Sequence, residues 1–325
     1  MTRYVAGRVL QALPLLLLVS LLVFALMHTI PGGPLAAYAN DPSVSAADIE
    51  RLRDELGLDV PLWQQYANWL GSVLHGDLGV SQVTHRPALA EIGDRLPNTL
   101  LLAGIAFALS LLVSIPVGVL SAVRQYSFFD HVMTTVAFVG HAIPVFWLGL
   151  ILIIVFNVTL RNPITGGPLL PGGGVATIGD PFSVGDRVTH LLLPVTVLAF
   201  HGLATHVRYL RAGMLEALHE DYVRTARAKG LSERVVLMRH ALKNGALPLV
   251  TIVGLELPAL VSGALLTEIV FSWPGMGRLF FTSVERADYA IVMAIVMLSA
   301  TFVVSFGILT DVAHAALDPR IRLSR

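Results

Sequence analysis

The run Asn98–Val123, NTLLLAGIAFALSLLVSIPVGVLSAV, is 26 residues without a charge, and it decides the fold. An α-helix needs about 20 predominantly apolar residues to cross roughly 30 Å of hydrocarbon, and this run is long enough. Five more such runs follow the same rule, approximately Val9–Ile30, Val132–Leu160, Val188–Val207, Ala246–Phe271 and Tyr289–Thr310. Composition agrees: 55% of the 325 residues are hydrophobic and 14% are charged, where soluble domains carry about 25%. The chain is therefore read as an all-α polytopic membrane protein of six transmembrane helices, one domain over residues 1–325. Pro14, Pro116, Pro144, Pro194 and Pro258 fall inside five spans, and kinks are expected there.

The basic residues set the orientation. With Arg3 and Arg8 cytoplasmic, six spans return Arg320, Arg322 and Arg325 to the same side, together with Arg124 and the eight basic residues from Arg208 to Lys243. That places 14 of 22 Lys and Arg inside, as the positive-inside rule prefers, with both termini cytoplasmic. The first apolar run exceeds the 7 to 15 residues of a signal-peptide core, and Ala37-Tyr38-Ala39 lies well past it, so it is read as a retained anchor. No cysteine is present, which excludes disulfides, thiolate metal sites and acylation.

The external loop, residues 31–97, is acid-rich, with nine Asp or Glu against four Arg. Ser45-Ala46-Ala47-Asp48 forms a capping box, and Ile49, Leu52 and Leu56 follow at helical spacing. After a turn at Gly57–Pro61, Leu62, Tyr66, Trp69 or Leu70, and Val73 form a second apolar face, beside Trp63. These two helices either lie over the mouth of the bundle or dock an external partner. The loop 161–187, rich in Gly and Pro, reads as irregular or mobile.

Several chemistries are excluded by residue pattern. His219-Glu220 opens an H-E-x-x-H motif, but Val223 occupies the second ligand position. His201 and His206, five apart, sit about 140° apart on a helix, a poor geometry for chelation. They are read as structural or pathway-lining. Gly79-Val80-Ser81 lacks the second glycine of a nucleophile elbow. Within the fifth span, Glu256 lies near mid-membrane, where a carboxylate costs about 2.5 to 3.5 kcal/mol and must face protein or water. It either lines a substrate pathway or makes an interhelical hydrogen bond. Glu268, near the outer boundary before Trp273-Pro274-Gly275, is a solvated or turn-capping acid and a second pathway candidate.

Between the fourth and fifth spans, Asp221–Pro248 reads DYVRTARAKGLSERVVLMRHALKNGALP, with four arginines and both lysines of the chain, Lys229 and Lys243. Neither lysine follows a glycine, so no Walker A loop can form and ATP hydrolysis is excluded. Within residues 215–244, Glu216, Glu220, Arg224 and Arg227 form a helical polar stripe with Glu-before-Arg pairing, and Tyr222, Ala226 and Lys229 line another side. Gly230 stops this helix and Ser232 caps the next, which runs to Asn244-Gly245. A loop basic only for topology leaves the small surface of Thr225, Ala226, Ala228 and Gly230 unexplained.

Here the chain resembles the permeases of bacterial ABC importers, in the dipeptide/oligopeptide/nickel branch. That branch carries D/E-Y-V/I-R-T-A-x-A-K-G and then R-H-A-L-x-N/P-x-x-x-P, as Asp221–Gly230 and Arg239–Pro248 do. Similar matches are Arg8, Pro31-Gly32-Gly33-Pro34, Gly76-Asp77-Leu78-Gly79-Val80-Ser81, Arg95-Leu96-Pro97-Asn98-Thr99-Leu100, the stretch from Glu268 to Gly277, and Asp318-Pro319-Arg320. The long outer loop resembles the B-type permease.

The resemblance implies the type I importer fold in the bacterial cytoplasmic membrane, a homologous C-type permease and two ATPase subunits or one fused ATPase. It also implies an extracytoplasmic substrate-binding protein, a peptide cargo and no nucleic acid. ATP and Mg would be bound by the ATPase partners, with no cofactor in this chain. Asp221, Tyr222, Arg224, Thr225, Ala226, Arg227, Lys229 and Gly230 would form the helix that couples to them, with Glu256 and Glu268 along the pathway. Two other classes stay open on residues alone. A stand-alone ion- or proton-coupled carrier needs paired intramembrane charges and inverted repeats; a membrane scaffold needs neither.

Overall fold

A computed structural model describes residues 2–29, 31–35, 38, 44–55, 57–181 and 183–317. Leu56 and Asp318-Pro319-Arg320 lie outside the described residues, as do the C-terminal arginines. The principal helices are α1 (Thr2–Thr29), α2 (Ala46–Glu55), α3 (Leu62–Leu74), α4 (Ala88–Val123), α5 (Phe128–Ala142) and α6 (Val145–Ile153). They continue with α7 (Val184–Leu218), α8 (Asp221–Ala228), α9 (Leu247–Glu256), α10 (Leu265–Val270), α11 (Met276–Glu285) and α12 (Tyr289–Leu317). Among the described residues there is no extended strand, only the isolated bridges Val80–Pro87 and Arg161–Pro168.

Five helical stretches are long and apolar enough to cross a membrane, and α5 with α6 makes a sixth if the pair is one span. In that third span, read as Val132–Leu160, the kink expected at Pro144 is a full break: α5 and α6 meet at 97°. The break falls at Ile143-Pro144, where Ile143 is extended (ψ 123°) and proline supplies no N–H to continue the ladder. A π-turn, Ile154–Thr159, finishes it. By contrast, Pro14, Pro116 and Pro194 sit within unbroken helices. The fifth span is also interrupted, at Pro258 and at Gly263 (φ 91°).

Long-range contacts fix the direction of each helix. Asn98 bonds Arg187, Ser110 bonds His206, and Gly118 abuts Leu210, so α4 and α7 run parallel. The chain between them must therefore return along the bundle. It does: Asp130 of α5 meets Arg211 while Gly140 meets Phe200, an antiparallel register. Arg8 pairs with Asp311 at 2.9 Å and His28 with Tyr289 at 2.8 Å, so α1 and α12 are antiparallel and bring the start of α1 and the end of α12 to the end that carries α8.

The capping box forms as expected, with Asp48 N–H donating to Ser45 Oγ at 3.2 Å and Ser45 Oγ donating to Asp48 at 2.6 Å. Beyond it, α3 packs onto α1, where Phe24 meets Tyr66 and Trp69 and Ser20 bonds the Tyr66 hydroxyl at 2.8 Å. Trp63 stays exposed. Among the described residues no helix forms between Thr159 and Val184, and this segment is tied back by Gly174 N–H donating to Phe271 O at 2.8 Å.

Glycines decide how closely helices approach. A methyl at Gly213 of α7 would strike the Gly245 carbonyl oxygen and come within 3.1 Å of Pro248. One at Gly254 of α9 would overlap Thr310 of α12. Gly213→Ala is therefore expected to destabilise the fold by about 1–3 kcal/mol through overpacking, seen as a lower thermal midpoint of the purified protein. Gly71→Ala, on an open face of α3, should not lower it.

Candidate functional site

Eight residues are too few for an isolated helix in water, so α8 is placed by what it packs against. Val223 and Ala226, three apart, are buried with Ala122, Leu210, Met214, Val236, Ala241 and Leu249. Burying one valine contributes about 1.5–3 kcal/mol. The other faces stay open: Asp221, Tyr222, Arg224, Thr225, Arg227 and Lys229 are exposed. Ala226 thus leaves the small-residue surface to which the sequence assigned it and serves as an inward anchor.

The expected Glu-to-Arg stripe is also rearranged. The helix breaks at His219, and Glu220 is extended (ψ 147°), so Glu216 and Glu220 are not on a common helix with Arg224. Arg224 instead approaches Asp221 at 3.4 Å, and Arg227 pairs with Glu233 through Nη2–Oε1 at 2.8 Å. The Arg227 guanidinium holds the Glu233 carboxyl below the usual carboxylate range. Gly230 ends the helix with φ 73°, a left-handed conformation that favours glycine, and nothing lies within 4 Å of where its side chain would project. Ser232 starts the next helix through its carbonyl rather than its hydroxyl, and that helix contains a π-turn, Val236–Ala241.

Two buried polar groups surround this unit. Arg211 donates Nε and Nη2 to the two oxygens of Asp130 at 2.6 and 2.7 Å, and Tyr126 N–H donates to the same carboxylate at 2.9 Å. Sequence reasoning missed this pair, because its members are 81 residues apart and each alone resembles a flanking charge. Further into the bundle, fully buried His206 bonds Glu256 at 2.7 Å through Nε2 and Ser110 at 3.2 Å through Nδ1. Glu256 makes this interhelical bond while 34% of its side chain stays exposed. His201 stacks on His141 at 5.7 Å. Among the described residues no group of three or more side chains is arranged to hold a metal ion.

Glu268 is fully buried rather than solvated. Its carboxylate accepts from Thr99 Oγ1 at 2.9 Å and from Arg278 N–H at 3.0 Å, and Thr99 Oγ1 in turn accepts from Met276 N–H at 2.7 Å. It therefore caps the first turn of α11, satisfying donors that a helix start leaves unpaired. Gly263, Gly275 and Gly277 crowd this carboxylate, and a Cβ at Gly275 would lie 2.5 Å from it. Beside it, Trp273 Nε1 donates to Asn98 O at 2.9 Å and Asn98 Nδ2 donates to Pro274 O at 3.1 Å. The motifs 95–100 and 268–277 thus meet in one buried junction.

A second junction, at the same end, collects two more motifs. Ser81 Oγ donates to Asp288, Gln82 N–H donates to Asp288 at 3.2 Å, and Gln82 Nε2 donates to Pro34 O at 2.6 Å. No signal in the sequence marked Asp288, since its partners lie 206 and 207 residues away.

Replacing Glu268 with Gln keeps the shape but turns an amide NH2 toward N–H and O–H donors. The expected loss is about 1–3 kcal/mol, with Thr99→Val costing less on that background than alone. Thermal denaturation of the two single variants and the double variant measures this; strictly additive losses contradict the shared junction.

Residues 114–323 match the family described as binding-protein-dependent transport system inner membrane component, and residues 1–103 match the N-terminal region of such membrane components. The oligopeptide transport system permease protein AppB of Bacillus subtilis (strain 168) is 44% identical over 322 residues, 99% of each chain. The dipeptide transport system permease protein DppB of Escherichia coli (strain K12) is 39% identical over 339 residues, again 99% of each. A glutathione transport system permease protein, GsiC of Escherichia coli O6:H1, is 37% identical over 322 residues and 99% of each. Matches of this length favour a permease subunit over a solitary carrier or a scaffold. The chain belongs to the family of inner membrane components of binding-protein-dependent transport systems.

Proposed function

We propose that this protein is the B-type permease of an ATP-driven peptide importer, in which α8 transmits the motion of separate ATPases to the transmembrane helices. The observation that carries this reading is the division of α8 itself, with Val223 and Ala226 seated in the core while Tyr222, Arg224, Thr225, Arg227 and Lys229 face outward. A helix fastened on one side and offered on the other can pass a displacement inward. Asp221 and Gly230 mark its limits.

The α8 end and both chain ends are cytoplasmic in this reading, as the basic residues favour. A homologous C-type permease completes the pathway, two ATPase subunits or one fused ATPase hold ATP and Mg, and an extracytoplasmic binding protein delivers the cargo. The peptide cargo is taken from the relatives, which are named for oligopeptide and dipeptide transport. Glu256, bonded to His206 and 34% exposed, is the pathway candidate; Glu268, enclosed as a helix cap, supports the wall rather than touching cargo in this conformation.

Gly230→Arg tests the coupling. The new side chain projects into open space, so it alters the offered surface rather than the core. The left-handed backbone adds about 1–2 kcal/mol of strain. The complex is expected to reach the membrane and hydrolyse ATP while peptide uptake falls at least about tenfold, a loss of about 1.4 kcal/mol of coupling or more. Full peptide-stimulated uptake contradicts the assignment.

A further inference from the structure

At the end opposite α8, a cavity of ≈ 260 Å³ is lined by Arg95 of α4 and by Pro274, Arg278, Leu279, Thr282 and Arg286 in and around α11. Three arginines face it and no acidic residue lines it. Among the described residues none of the three forms an ion pair. The neighbouring carboxylates are committed elsewhere: Asp94 to Arg86, Asp288 to Ser81 and Gln82, and Glu268 to Thr99 and backbone donors beneath the cavity floor. Glu285 is exposed and does not line it.

One of the donors is held in place. Arg278 Nη1 donates to Ser272 O at 2.7 Å, which fixes that guanidinium while leaving its other N–H groups available. The Nε–H of Arg95 is enclosed by protein and has no hydrogen-bond acceptor, and such enclosed donors are rare enough to call for an explanation. Guanidinium forks match the two oxygens of a carboxylate, and hydrogen bonds between ionised partners are about twice as strong as neutral ones. The volume falls below the roughly 300–1,000 Å³ of pockets that enclose a whole small molecule, so a charged group with a short stem fits and a larger body remains outside. Pro274 and Leu279 give the stem an apolar wall.

We propose that this cavity is a carboxylate-binding site, and that its ligand is the terminal carboxylate of a small peptide. The choice of peptide rests on the proposed function; the anion site rests on the arginines. Held there, a peptide would be oriented with its carboxylate toward Arg95, Arg278 and Arg286 and its amino end free.

The test uses the purified chain with its co-purifying subunits in nanodiscs, without the binding protein, and dialanine, dialanine amide and inorganic phosphate as probes in ligand-observed NMR titrations. Dialanine is expected to bind at least about tenfold more tightly than its amide, since the amide removes the charge. Arg286→Glu, at an exposed position, should abolish that preference without lowering the thermal midpoint. Arg278→Gln should weaken dialanine binding by a similar factor. Equal binding of acid and amide, or a preference that survives Arg286→Glu, overturns the proposal; so does binding of phosphate with none of dialanine. ATP-driven uptake by the same preparation reports separately on the transport reading, so loss of acid preference with intact uptake removes only this site.

Discussion

The seating of Val223 and Ala226 against α7, the Val236–Ala241 turn and Leu249 is the contact on which the proposed coupling depends. An eight-residue amphipathic helix has no independent stability, so its position is that of its apolar anchors. Leu210 and Met214 of α7 and Leu249 of α9 belong to the same buried cluster as those anchors. Directly beneath, Gly213 and Gly245 let the backbones of α7 and the segment before α9 touch. Close-packed interiors transmit strain rather than absorb it. In the proposed coupling, a push on the exposed face of α8 would pass through this cluster toward α7 and α9, the two helices joined by the His206–Glu256 hydrogen bond.

Polar satisfaction sets the rest of the frame. A chain built from apolar spans can keep a buried carboxylate only where donors surround it. Asp130 finds them in Arg211 and Tyr126 at the α8 end, and Glu268 finds them in Thr99 and Arg278 at the other. Each junction ties elements distant in sequence, so the helices between are fixed at both ends. Glu256 differs: it has one buried partner and an exposed remainder. That asymmetry suits a group that can exchange partners, where Glu268 suits one that cannot.

Much of this was legible in local sequence. Charge-free runs locate the spans, Ser45 with Asp48 marks a helix start, and Gly230 marks a helix stop, because each rests on interactions within a few residues. Proline was a weaker guide: Pro144 breaks its helix by 97° while Pro116 and Pro194 do not. Ion pairs were least legible, since Arg224 has Glu220 four residues before it and Asp221 three before it, and folding brings it to Asp221. The family-like stretches 31–34, 76–81, 95–100 and 268–277 are separate in the sequence, and folding gathers them into two junctions, one around Glu268 and one around Asp288.

Because the chain has no cysteine, single cysteines report on α8 without background from the rest of this chain. Cysteines at Tyr222, Thr225 and Val223, each in the complete transporter in native membranes, can be probed with a short bifunctional thiol-to-amine cross-linker. Tyr222→Cys and Thr225→Cys are predicted to capture the ATPase subunit, and Val223→Cys, enclosed in the core, is predicted to capture nothing until the protein is denatured. Efficient capture at Val223→Cys together with none at the two exposed positions contradicts the claim that α8 offers this face to the ATPase.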